Sequence, residues 1–194
     1  MLAVLGSGGV AWPAPPSSSQ PGPEAESAAQ DAKDRAACIR NLKSIYAAIQ
    51  AYERDHKDLP NWLSDLVPKY LSDPNVLICP VCRRTGRTEE ARLADPKLPS
   101  SYLFEFCPLP LGSAAPNAPG RTRRDWKRRQ MGLLGSVVPL VRCRNHQSVL
   151  NLAFDGRVYE SPGMWELNFT NQVSPAELSP ARLFAGEHPP AHAR

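Results

Sequence analysis

The chain has 194 residues, 42% of them hydrophobic and 22% charged, with a formal net charge of +4. That is enough apolar material for one modest core and too little chain for two ordinary domains. The 21 prolines are about twice the usual share of roughly 5%, and predict long irregular connections around a small ordered centre. No apolar stretch reaches the roughly 18 residues needed to span a bilayer.

In chain order, Leu2 to Trp12 is apolar and has the size of a signal-peptide core, although no Lys or Arg precedes it. Pro13 to Glu26 is rich in proline, serine and small residues, which cannot offset their ordering entropy by burial. Residues 1–27 are therefore expected to be a possible signal and a disordered, Pro-rich leader. The expected location is periplasmic or secreted, with the cytoplasm as the alternative. From about Ala28 the pattern changes. Cys38, Leu42, Ile45, Ile49 and Tyr52 recur at steps of four and three, which places them on one face of a helix. No Gly or Pro interrupts the run from Ala25 to Leu59, and Pro60 ends it.

Asn61 is placed to cap a short second helix, Trp62 to Val67, whose Trp62, Leu63 and Leu66, with Tyr70, are expected in the core. Brief β-type runs follow at Val76 to Cys79, Tyr102 to Phe106 and Val137 to Cys143. Val149 to Phe154 and Arg157 to Glu160 flank Asp155-Gly156, a pair suited to a type I′ hairpin turn because both of its central positions need positive φ. The expectation is an α+β domain over residues 28–170, one long N-terminal helix packed on a small antiparallel sheet. Residues 171–194 are expected to hold a short helical segment and a disordered tail.

Cys79-Pro80-Val81-Cys82 has the spacing of half a zinc ribbon, and Cys143 with His146 can complete a four-ligand set. The same cysteines can instead be oxidised. Five cysteines are an odd number, so at least one thiol is left over if the others pair. Cys107 is a possible partner for Cys82, and Cys38 on the apolar helical face reads as a buried free thiol. His146 reads as a hydrogen-bonded turn histidine, a zinc ligand or, last, a base. His56 at a helix end is explained by the dipole. Hydrolase, metalloprotease and phosphate-loop motifs are absent from the sequence, so no catalytic residue is assigned and a non-enzyme is expected. Arg121 to Arg129, with Trp126 inside it, reads as a solvated loop or short charged helix. Its alternative reading is a nucleic-acid contact on a cytosolic zinc-ribbon-like binding protein.

The segment Ala37 to Pro80 contains Cys38, Asn41, Leu42, Lys43 and Ile45, then Leu59-Pro60, then Cys79-Pro80. It resembles the pseudopilins of type II secretion and their relatives. The later run Val138 to Ser161, with its Arg-Cys-x-x-His element and Asp-Gly-x-Val hairpin, resembles the closing segment of the same group. The resemblance spans about residues 36–161, and the order of the motifs carries it more than any one of them. It implies a pilin-like head, a non-enzymatic structural or interaction role, and other pseudopilin-like or secretion-system proteins as partners. It implies no small-molecule substrate and no cofactor, with zinc as the alternative. The Phe-Thr-Leu-x-Glu box and membrane-inserted half-helix of that group do not occur in this sequence, so a soluble head is expected. The family pattern also implies a Cys79–Cys143 disulfide, which would close a loop long enough to give roughly 4 kcal/mol by chain-entropy estimates.

Overall fold

The computed structural model describes residues 22–87, 95–110 and 122–165. Helix α1, Pro23–His56, is 34 residues long, or about 50 Å at 1.5 Å per residue. Pro23 opens it and Glu24 and Glu26 lie in the first turn, where a fixed φ and negative charge both favour helix. It therefore begins inside what the composition suggested was leader, and the expected boundary at residue 27 falls within continuous helix. Lys57 ends it in a left-handed conformation, its N–H donating to Glu53 O.

Two short 3₁₀ turns follow, Leu63–Leu66 and Pro74–Leu77. The first replaces the expected short helix. Its cap is not Asn61 but the Asp65 carboxylate, which accepts from the backbone N–H of Asn61 and of Trp62. The second replaces the expected strand at Val76 to Cys79. Asp73 caps it through Asn75 N–H, with Pro74 in its first position, and this turn chemistry overrides the β propensity of Val76, Leu77 and Ile78.

Helix α2 is Pro80–Thr85, with Cys79 at its N-cap. Strand β1 is Leu103–Phe104, helix α3 is Arg123–Leu134, and strands β2, β3 and β4 are Pro139–Cys143, Val149–Ala153 and Val158–Ser161. The four strands form one antiparallel meander in sequence order. This is the α+β architecture expected, with a long helix laid against a four-stranded sheet. Register pairs Phe104 with Val141, Val141 with Leu152 and Cys143 with Leu150, so these residues share one face by the two-residue period of a strand. Together with Cys38, Leu42, Ile45 and Ile49 of α1, all fully buried, they belong to one core cluster. Fully burying a large aliphatic side chain contributes about 1.5–3 kcal/mol. Tyr52, the last residue of the expected stripe, is only half-buried and stacks on His56.

The β3–β4 connection differs from the expected two-residue turn. Gly156 N–H donates to Ala153 O at 3.0 Å and Ala153 N–H donates to Arg157 O at 2.8 Å, which makes a three-residue loop with a single left-handed position at Gly156, φ 81°. A Cβ at this position would lie 2.5 Å from the Tyr46 ring of α1. Glycine is needed there both for the turn and for the approach of α1.

Among the described residues, no helix is long and apolar enough to cross a membrane. Residues 1–21 of the expected 1–27 leader and the expected tail over 171–194 lie outside the described residues.

Candidate metal centre

The second face of the sheet is polar yet buried. Arg142 pairs with Leu103 and Asn151 in register, and Arg142 and Asn151 are both fully buried. Glu105, just past β1, is also fully buried. Its carboxylate takes Arg142 Nε at 2.9 Å, Lys127 Nζ at 3.3 Å and the Arg123 guanidinium. Burial alone would raise the Glu105 carboxyl, but Lys127, Arg142 and Arg123 outweigh it and hold it below the ordinary range. Burial lowers Lys127 to about 8, against the attraction of Glu105.

Of the two readings of the basic run, solvated loop or short charged helix, the structure has the helix, and its cations turn inward. Residues 123–129 lie on α3, where Thr122 and Asp125 form a reciprocal cap. Arg123 and Lys127 point to Glu105, Arg124 donates to Phe106 O at 2.9 Å and to the Leu59 and Pro60 carbonyls, and Arg128 reaches Asp58 at 2.8 Å. Four cations of the alternative nucleic-acid reading are committed to acceptors of this chain.

On the α1 side of the sheet the chain gathers a different set of groups. Cys38 comes from the middle of α1. Cys79 is the residue before α2, held at φ −60°, ψ 138°, the extended conformation that a following proline imposes. Cys143 ends β2, and His146 lies in the loop between β2 and β3. The three sulfurs and one imidazole nitrogen all lie within 4.8 Å of one another, with the three cysteines buried and His146 half-buried. Cys79 Sγ and His146 Nε2 are 3.5 Å apart. Zn–S and Zn–N bonds of about 2.3 and 2.0–2.1 Å in a tetrahedron require ligand separations of this size. A buried Cys₃His group of this geometry can hold a metal ion.

Polar groups surround the three cysteines. Asn41 Nδ2 donates to Tyr102 Oη at 3.2 Å, leaving the phenol to donate to Cys38 Sγ at 3.5 Å. Asn145 Nδ2 donates to Ser101 O at 3.1 Å and approaches Cys143 Sγ at 3.5 Å. Ser101 Oγ accepts from Cys79 N–H. Such outer hydrogen bonds orient ligands and stabilise thiolate. The Cys143 and Cys38 thiols donate towards Cys79 and, with His146, hold it far below the ordinary thiol range despite burial. In return Cys143 is pushed up. Cys38 rises to about 12, the lowering contact with Cys143 being outweighed by Cys79 and by burial.

Three of the four residues of the sequence-based zinc alternative, Cys79, Cys143 and His146, are brought together; Cys82 is buried but outside the group. Cys38, read from sequence as a spare apolar thiol, takes its place. No sulfur–sulfur bond joins the cysteines in this structure, and the family resemblance would pair Cys79 with Cys143. Those two sulfurs instead share their space with a third thiol and an imidazole. His56, also as expected, ends α1 and bonds Tyr70 Oη at 3.1 Å. His188 and His192 lie outside the described residues. No protein-family model, curated protein or solved structure matches the chain.

Proposed function

We propose that the chain is a non-enzymatic α+β domain stapled by one Zn²⁺ on Cys38, Cys79, Cys143 and His146, and that it works through protein contacts. The observation that carries this reading is the convergence of four ligand atoms from three separate segments within 4.8 Å. Three sulfurs and an imidazole favour zinc over hard cations such as calcium or magnesium. Four protein ligands fill a tetrahedron and leave no position for a reacting water, which is the pattern of a structural site. The ion would tie α1, the start of α2 and the end of β2 together, and structural zinc contributes about 10–16 kcal/mol of apparent binding energy in small zinc-dependent peptides.

The test is metal analysis of the full chain purified without oxidation. One zinc per chain, lost on His146→Ala, and a melting temperature lowered by a strong chelator are expected. A folded chain that carries no stoichiometric zinc after incubation with the ion would overturn the reading.

A second reading, a secretion-associated pseudopilin-like subunit, is supported by the long helix lying over an antiparallel meander and by the exposure of its turns from Pro23 to Ala29. Photocrosslinking from Glu24 and Ala28 in cells should then yield adducts with other pseudopilin-like chains. Adducts absent from these positions would count against it.

A further inference from the structure

The Cys₃His cluster holds one more thiol than a single disulfide and its counterpart would need, and its members differ in freedom to move. Cys38 sits within a 34-residue helix, with its sulfur against Tyr102 Oη at 3.5 Å. Cys79 lies at the joint between a 3₁₀ turn and α2, and Cys143 is the last residue of β2 before the loop that carries His146. The Cys79 and Cys143 sulfurs are already within 4.8 Å and both sit at element ends, where the backbone is freer to shift towards the S–S bonding distance of about 2 Å. The half-buried ligand is His146, and it lies 3.5 Å from Cys79 Sγ, so the histidine side is the edge of the group nearest to solvent.

We infer that the cluster is a peroxide-sensitive switch in which oxidation joins Cys79 to Cys143 and expels the metal. This rests on the metal reading above. One thiolate attacks a peroxide oxygen, the O–O bond breaks, and a sulfenic acid and hydroxide result. The second thiolate attacks that sulfur, the S–S bond forms and a second hydroxide leaves. The two sulfurs together lose two electrons, hydrogen peroxide gains them, and two protons from solvent turn the hydroxides into water. The metal departs as Zn²⁺ with its charge unchanged. Thiolate, not disulfide, is the ligand, so only Cys38 and His146 remain, too few for a tetrahedral site. A dithiol reductant with zinc restores the starting state.

The experiment uses the zinc-loaded full chain, hydrogen peroxide, a chromophoric zinc indicator and peptide mapping without reduction. Expected are stoichiometric zinc release in step with the loss of two thiols, a Cys79–Cys143 linked peptide, and recovery with dithiothreitol and zinc. Cys38→Ser should still form that linkage, and a Cys82→Ser, Cys107→Ser double variant should release zinc like the parent. Zinc retained at a peroxide dose that consumes glutathione in the same tube would overturn the switch alone. A linkage through Cys38, Cys82 or Cys107 would do the same. A chain that never takes up zinc sinks the metal reading and the switch with it.

Discussion

Replacing Glu105 by Gln keeps the shape of a fully buried side chain and deletes its charge. Arg142, Lys127 and Arg123 would then lose the carboxylate they share at 2.9 Å, 3.3 Å and closer. Removing one partner of a buried ion pair costs about 3–5 kcal/mol, a large part of a total of about 5–15 kcal/mol. For a domain of this size that lowers Tm by roughly 10–20 °C. The deficit should depend on pH. Native Lys127 sits at about 8 rather than its ordinary 10.5, so between those values the unfolded chain binds more protons and stability from this group rises with pH. Without Glu105 the native pKa falls further and relief begins at lower pH. Thermal melts of parent and variant at pH 6 and pH 9 should therefore show a larger gap at pH 6. A variant that melts with the parent, or a gap that grows towards pH 9, would refute the assignment of Glu105 as the counter-charge of this cluster.

Cys38→Ser should abolish stoichiometric zinc while Cys82→Ser leaves it intact, as read by metal analysis of the two purified variants. Gly156→Ala meets both a positive φ and the Tyr46 ring, and should cost about 1–3 kcal/mol in chemical denaturation. Combining it with Tyr46→Ala should recover only the steric share. Ile45→Asp places a charge among fully buried neighbours and should unfold the domain, since such burial costs several kcal/mol; an unchanged circular dichroism melt would mean the stripe faces solvent.

The apolar stripe of α1 and the position of the last hairpin were legible in the sequence because both are set by local periodicity and turn residues. The residues of the candidate metal centre were only partly so. Cys79, Cys143 and His146 fall in short motifs, but Cys38 shares its helical spacing with Leu42, Ile45 and Ile49, and nothing local separates a ligand from a core thiol there. Cys82 was drawn in by a spacing rule for a knuckle, whereas Pro80 starts a helix immediately after Cys79. The inward turn of Arg123 and Lys127 could not be read either. It depends on Glu105, which belongs to a different element and looks like the polar member of an alternating strand.

The four proposed ligands would also fix when, during synthesis, the cluster could be completed. Cys38 leaves the ribosome long before Cys143 and His146, and closing so long a loop has its own entropic cost. A local knuckle can capture an ion while the rest of the chain is still being made. On the proposed zinc reading, α1 and the sheet would first dock, and the ion would enter a binding site that the folded protein had already shaped. Metal supply would then govern how long the folded domain persists and leave the rate of reaching it unchanged.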